Sequence, residues 1–223
     1  MLEREYATSE RLELRRQNVT GWLRGEEASD IALEAVAEAR PHRVLDAGCG
    51  DGLFARSIAA PFVVGVDNAA AMVERTRSRG IDARLASIED LPFTDGEFDV
   101  VVCNWVLYHL EDLEAGVCEL ARVLRPGGRF VGIYSRDRHM DELWSRLRPE
   151  LDASDDYDDV LTRHLGRVEH RDTDAYTLWE TREDLQAYLD AFVELIGPME
   201  APDCAYPFKA TRRNRVYVAE KAA

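Results

Sequence analysis

The sequence predicts an α/β fold with a doubly wound, mostly parallel sheet and helices on both faces. From about residue 43 to residue 134, short apolar runs alternate with segments of helical spacing. The runs are apolar at consecutive positions, which is typical of parallel strands buried on both faces. A length of 223 residues fits one domain of this class, so we expect residues 1–223 to form a single domain.

The first forty residues have helical spacing throughout. Ser9 is placed to cap one helix, and Ser29 or Asp30 a second helix, which ends before Pro41. We therefore expect residues 1–40 to form a helical cover.

Strands and helices then alternate along the chain. The predicted strands are Arg43–Ala47, Phe62–Asp67, Ala83–Ala86, Phe98–Cys103 and Arg129–Tyr134. The predicted helices run from about Leu53 to Ala60, through Met72 and Val73, and from Leu113 to the Pro126-Gly127-Gly128 turn. Later in the chain the pattern predicts a strand at Val168–Trp179, a helix at Arg182–Ile196 and a strand at Arg215–Glu220. Ligands of such sheets bind at the carboxyl ends of the strands, which is where candidate site residues are sought.

The charge balance excludes several classes of partner. With 43 acidic and 28 basic residues the net charge is −15, which disfavours nucleic acid and anionic membranes as partners. No stretch reaches the roughly 18 apolar residues of a membrane span, and the charged N-terminus does not resemble a signal peptide. We expect a cytoplasmic protein.

The sequence contains no recognisable metal or disulfide pattern. The four cysteines form no C-x-x-C pair, and we expect them to be free, buried thiols. The aspartates between residues 152 and 159 lack the spacing of a calcium loop, so a solvated acidic face is expected rather than a metal site.

The strongest functional signal is the segment from Val44 to Gly52, which directly follows a predicted strand. Its glycines follow a G-x-G-x-G spacing, and Leu53 stands where the dinucleotide fingerprint has its third glycine. Glycines at 48 and 50 allow tight turns and a close approach of backbone to ligand. Because Asp46 precedes them and would repel a pyrophosphate, a ligand with a positive centre suits this loop better.

A second carboxylate lies at the end of the next predicted strand. Asp67 follows Gly48 by 19 residues. A carboxylate there can accept hydrogen bonds from both hydroxyls of a ribose. The alternative is a helix cap, formed by Asp67 or Asn68.

The sequence from Val44 to Ser135 resembles the class I S-adenosylmethionine-dependent methyltransferases, in their small-molecule branch. Five motifs carry the resemblance: the glycine loop, Gly65–Asn68, Glu89–Phe93, Phe98–Asn104 and Leu120–Phe130. The resemblance implies a Rossmann-like sheet of seven strands whose last strand is antiparallel. It also implies a cofactor-binding core at 41–135, a substrate cap at 136–166, and completion of the sheet by 167–223.

The resemblance also implies a set of cofactor-binding positions. They are Tyr6, Arg15, Asp46, Gly48, Cys49, Gly50, Asp67, Asn68, Met72, Ser87, Ile88, Glu89, Asn104 and Trp105. Asp46, Gly48 and Gly50 would face the methionine part of the cofactor, and Asn68 and Met72 would flank its adenine. Where the family has an acid and the next backbone N–H, this chain has Ser87 and Ile88, with Glu89 following.

The acceptor side of the site is defined less sharply. His109, beside Tyr108, is a candidate general base or a packing residue. Tyr108, Tyr134 and Trp144 are expected to contact the acceptor, and ordinary packing is the alternative for Trp144.

The expected function is methyl transfer from S-adenosylmethionine to an oxygen or nitrogen of a small molecule, by a monomer or homodimer. The amino-methylases of nucleic acids carry Asn-Pro-Pro-aromatic where this chain has Asn104-Trp105-Val106-Leu107. A methyltransferase acting on RNA, DNA or protein stays open as an alternative, as does a non-catalytic cofactor-binding regulator or scaffold.

Overall fold

The computed structural model describes residues 21–149, 157–193 and 197–222, which form parts of two compact units. The core unit contains residues 28–134, 157–172 and 215–222 of the described chain. The second unit contains residues 21–27, 135–149, 173–193 and 197–214.

Eight strands and seven α-helices are found in the described residues. In chain order the strands are β1 (Leu23–Arg24), β2 (Arg43–Ala47), β3 (Phe62–Asp67), β4 (Asp82–Leu85), β5 (Phe98–Val102), β6 (Leu124–Ser135), β7 (Val168–Trp179) and β8 (Phe208–Glu220). The helices are α1 (Ala28–Glu38), α2 (Leu53–Ser57), α3 (Ala70–Ser78), α4 (Leu113–Val123), α5 (Asp141–Leu147), α6 (Asp158–Leu165) and α7 (Arg182–Ala191). A short 3₁₀ helix spans Leu107–His109.

The strand order is β1-β7-β8-β6-β5-β2-β3-β4. The pairs from β6 through β5, β2 and β3 to β4 are all parallel. Lys221, just after β8, exchanges main-chain hydrogen bonds with Gly127 and Gly128 near the start of β6, so β8 runs antiparallel to β6. The predicted α/β class and antiparallel last strand are confirmed. The eighth strand is the two-residue β1, which pairs with β7 within the second unit.

The strands of the core unit are buried on both faces. Val44 and Val102 pack in one apolar cluster with residues of α1. Leu45 and Val101, one position away on the same strands, pack in another cluster with residues of α4 and α6. This alternation explains why the strands are apolar at consecutive positions.

Three sequence expectations need correction. The strand β8 begins at Phe208 rather than Arg215. The strand β6 begins at Leu124 rather than Arg129, because α4 ends at Val123 and the Pro-Gly-Gly segment continues directly into the strand. All four cysteines are free, but Cys118 is exposed on the outer face of α4, while Cys49 and Cys103 are buried.

The second unit has an apolar cluster of its own, to which α5, α7, β7 and β8 contribute. Its fully buried members include Leu143, Trp179 and Leu185. The helix α7 begins with a capping box in which the Thr181 hydroxyl accepts from Asp184 N and the Asp184 carboxylate accepts from Thr181 N. The side-chain pairs Trp179–Phe208 and, in the core unit, Asp172–Arg215 show that β7 and β8 run antiparallel.

Two kinds of feature are absent from the described residues. No helix in this part of the chain is long and apolar enough to cross a membrane. No group of three or more His, Cys, Asp or Glu side chains is arranged there to hold a metal ion.

Candidate active site

The glycine loop after β2 turns back onto β3. The amides of Gly48 and Cys49 both donate to Val66 O, at 2.7 and 2.9 Å. Gly48 has φ +76°, and a Cβ there would lie 2.3 Å from Val106 Cγ2. Gly50 has φ +53°, but no atom of the described residues lies within 4 Å of where its Cβ would be. The loop is thus packed at Gly48 and leaves space beside Gly50 for a ligand.

The carboxylate of Asp67 ties this loop to the end of β3. One oxygen accepts from Gly50 N and the other from Ala69 N, both at 2.9 Å. Burial raises the pKa of Asp67, although the backbone N–H donors act in the opposite direction. Asp67 is not the N-cap of α3, a position that Ala69 takes without a side-chain bond. Each carboxylate oxygen has a second lone pair with which a ribose hydroxyl could bond.

Asp46, at the carboxyl end of β2, is the most unusual polar group of the loop. Only 2 % of its surface is exposed, and its Oδ2 has no hydrogen-bond partner among the described residues. Burial raises its pKa to about 7, and the nearby charges of Asp67 and Asp51 add to the effect. A buried carboxylate without a partner is costly, and a ligand cation would relieve that cost.

Two residues that sequence reasoning missed hold the loop in place. The Thr76 hydroxyl donates to Gly50 O at 2.8 Å, and Arg79 Nε donates to Asp51 O at 2.7 Å. Both lie on or just after α3. The only signal for Thr76 was a polar residue on the buried face of a helix, where Met72 and Val73 also lie.

A second set of predicted residues follows β5. Asn104 Oδ1 accepts from Ile133 N at 3.1 Å, while its buried Nδ2 has no partner in the described part of the chain. Trp105 has φ +60°, a left-handed conformation that non-glycine residues rarely adopt. Backbone strain of this kind clusters at functional sites, so this segment also fits a ligand-binding role.

The residues predicted beside the adenine have mixed surroundings. Met72 and Ile88 are buried, and Asn68 is exposed. Glu89 accepts from Asp112 N at 2.7 Å and lies 3.2 Å from the Ser87 hydroxyl. Its carboxylate therefore joins the segment after β4 to the start of α4.

The residues predicted to contact the acceptor have different surroundings. His109 and Tyr108 contact each other edge to face, with ring centroids 4.3 Å apart, and 47 % of Tyr108 is exposed. Tyr134 is fully buried, and its hydroxyl donates to Cys103 O. Burial raises the pKa of Tyr134 well above the usual value. Its ring packs on Tyr157, which places it in the core of the core unit.

Two further predictions concern other parts of the chain. Trp144, on α5, packs against the apolar cluster of the second unit. Tyr6 and Arg15 lie outside the described residues.

Residues 45–132 match the family described as a methyltransferase domain. This match spans the glycine loop and the strands β2 to β5, so the core of the chain is similar to that of class I S-adenosylmethionine-dependent methyltransferases. The buried, unpartnered Asp46 oxygen and the space beside Gly50 fit that cofactor, which carries a sulfonium and an ammonium group.

Two curated relatives are named as methyltransferases. The chain is 38 % identical over 143 residues to the methyltransferase YcgJ of Bacillus subtilis, covering 57 % of this chain and 56 % of YcgJ. It is 40 % identical over 96 residues to a ubiquinone biosynthesis O-methyltransferase of Xanthomonas oryzae, covering 39 % and 40 %. The chain therefore spans about half the length of these curated relatives, or less.

Solved structures share the fold at low sequence identity. YcgJ matches with a TM-score of 0.64 at 19 % identity, over 87 % of this chain and 99 % of that one. The N-methyltransferase NodS of Bradyrhizobium japonicum, in complex with S-adenosylhomocysteine, matches with 0.57 at 16 %, over 87 % and 86 %. The [4+2]-cyclase SpnF matches with 0.58 at 22 %, over 87 % and 80 %. Because a cyclase shares the fold, the fold alone does not fix the reaction.

Proposed function

We propose that this protein binds S-adenosylmethionine at the carboxyl ends of β2, β3 and β5 and transfers its methyl group to an oxygen or nitrogen of a small molecule. The observation that carries the proposal is Asp46, a buried carboxylate whose Oδ2 has no partner beside an open glycine loop. Such a group repels phosphates and stabilises a cationic ligand.

The roles of the chain's residues follow from their contacts. Asp46 compensates the positive charge of the methionine end. Asp67, already fixed by two backbone amides, accepts from the ribose hydroxyls, and Gly50 allows the backbone to approach the ligand. Asn104, whose side chain is anchored through Ile133 N, accepts a hydrogen bond from the amino group through its main-chain carbonyl at the same edge of the sheet.

Methyl transfer requires little of the protein beyond aligning the acceptor with the methyl group. The bound cofactor supplies an electrophilic methyl group attached to a sulfonium. The chain then has to orient the acceptor and exclude water. A neutral amine acceptor needs no base, whereas a phenol or acid acceptor would use one, and His109 is the candidate for that role.

Charge and sequence both favour a small acceptor. The net charge of −15 opposes binding of RNA or DNA. A non-catalytic protein would bind the cofactor without transferring its methyl group. The intact glycine loop with Asp67 supports cofactor binding, which the catalytic and the non-catalytic function share.

Transfer of labelled methyl groups separates these functions. The protein is incubated with methyl-labelled S-adenosylmethionine and with phenols, carboxylic acids, amines, total RNA, DNA or a protein extract. We expect label in one of the three small-molecule classes. Label in RNA, DNA or protein alone would overturn the acceptor class. Binding of S-adenosylhomocysteine without any transfer would support the non-catalytic alternative.

A further inference from the structure

One face of the β7–β8 pair in the second unit carries an unexpected set of polar side chains. Trp179 stacks on Phe208 with ring centroids 6.0 Å apart. Because the strands are antiparallel and side chains alternate, four residues further along each strand Ala175 lies opposite Arg212 on the same face. Thr177 lies on this face too, diagonal to Arg212.

Four polar atoms on this face lack hydrogen-bond partners among the described residues. They are Thr177 Oγ1, Trp179 Nε1, Arg212 Nη1 and Asn214 Oδ1. Thr177 and Trp179 are fully buried and Asn214 is 5 % exposed. Native proteins pair the large majority of such atoms, so these four groups are candidates for hydrogen bonds to a bound molecule. Thr173, on the same face of β7, is the contrast: its hydroxyl donates to Glu26 O at 2.9 Å.

Arg212 is the arginine of this face, and it makes no ion pair with any described carboxylate. Arg136 and Arg138, in contrast, pair with Asp174 and Asp141. His139 does not add charge, because burial and the charges of Arg212 and Arg213 lower its pKa to about 4. The imidazole is therefore neutral near pH 7.

We propose that this face binds the carboxylate of a small organic acid, with Arg212 as the charged anchor and Thr177 and the Trp179 indole as further donors. One unpaired guanidinium matches the single charge and planar oxygens of a carboxylate. The neighbouring aromatic rings of Trp179, Phe208 and Tyr188 suit an apolar or aromatic body attached to it. The site goes beyond the proposed methyl transfer and does not rest on it.

Isothermal titration of the full-length protein with benzoate tests the site. Benzamide, which has the same shape without the charge, and inorganic phosphate are titrated in parallel. The variants are Arg212→Met and Thr177→Val. Their matched controls are Arg138→Met, which also removes one arginine, and Thr173→Val, which removes a hydroxyl already bonded to Glu26.

We expect saturable binding of benzoate and none of benzamide or phosphate. Arg212→Met should weaken benzoate by about 10- to 150-fold and Thr177→Val by about fivefold, the range for charged and neutral hydrogen bonds. Both control variants should bind benzoate like the wild type. In the absence of ligand, Arg212→Met and Thr177→Val should not lower the melting temperature, because they remove unpaired buried groups, whereas Thr173→Val should lower it.

Three results would overturn the proposal: no benzoate binding by the wild type, equal loss in Arg212→Met and Arg138→Met, or binding of phosphate in place of benzoate. A lower melting temperature of ligand-free Arg212→Met would assign Arg212 a structural role instead. Arg212→Met is also titrated with S-adenosylhomocysteine, and its affinity for this ligand should equal that of the wild type. This measurement distinguishes failure of the carboxylate site from failure of the proposed cofactor site.

Discussion

The carboxylates at the ends of β2 and β3 have the same chemistry and opposite surroundings. Asp67 accepts from two backbone amides and thereby holds the glycine loop on its strand. Asp46 keeps one buried oxygen without a partner among the described residues and has a pKa raised to about 7. The comparison separates a group that organises the site from a group whose cost of burial is relieved by a proton or by a cationic ligand.

The largest effect is expected from closing the space between these two groups. Gly50→Val should abolish detectable binding of S-adenosylhomocysteine, because the new side chain fills the open space beside the loop. Gly80→Val is the matched control, since Gly80 also has positive φ (+85°) and open space, at the turn after α3. Titration calorimetry with S-adenosylhomocysteine measures the affinity of both variants. Equal loss of affinity in both would show that backbone strain, and not the filled space, is responsible.

Removing the organising carboxylate should have the next largest effect. Asp67→Ala should weaken S-adenosylhomocysteine binding by about 1.5–3 kcal/mol, or about 10- to 150-fold, the range for hydrogen bonds to a charged group. Asp99→Ala is the control, because Asp99 also accepts from two backbone amides, those of His42 and Arg43, at the start of β5. An unchanged dissociation constant for Asp67→Ala would leave Asp67 with the loop-tying role alone.

The unpartnered carboxylate should be visible in the pH dependence of stability. The folded pKa of Asp46 lies near 7, above the ordinary value of 3.8. The folded state therefore holds the proton more tightly, and stability without ligand falls as pH rises between these values. From pH 5 to pH 8, wild type should lose about 2.6 kcal/mol relative to Asp46→Asn. Urea unfolding of both proteins at pH 5 and pH 8 measures the free energy of unfolding. If it changes equally with pH in wild type and Asp46→Asn, Asp46 does not have the raised pKa.

The smallest effect is expected at His109. Its edge-to-face contact with Tyr108 favours a packing role. His109→Ala should then reduce turnover by less than about fivefold, whereas loss of a general base costs about 10²–10⁴-fold. Turnover is measured with the acceptor found by label transfer, and S-adenosylhomocysteine affinity serves as the control. A drop of 100-fold or more with affinity retained would make His109 the base.

Sequence patterns predicted the parts of the fold that depend on continuous apolar runs. The bounds of β2, β3 and β7 agree with the predictions, because buried strands between polar turns leave a clear pattern. The early start of β6 and the two-residue β1 were not predicted, because backbone pairing sets them more than side-chain polarity does.

The residues of the candidate site were also predicted only in part. The glycine spacing and Asp46 pointed to the loop, but Thr76 and Arg79 act through the backbone oxygens of residues that are distant in sequence. Arg212 could not be distinguished among the many arginines either. Its lack of a partner among the described residues depends on which side chains surround it after folding.

The central claim is that the loop with Asp46 recognises a nucleoside that carries an ammonium group, as S-adenosylhomocysteine does, and not a phosphorylated one. Thermal unfolding tests it with S-adenosylhomocysteine, NAD and ATP. A hundredfold excess over the dissociation constant adds about 2.7 kcal/mol of stability, or about 5–10 °C for a protein of this size. We expect that rise with S-adenosylhomocysteine and almost none with NAD or ATP. A rise with NAD and none with S-adenosylhomocysteine would contradict the assignment of the site and of its cofactor.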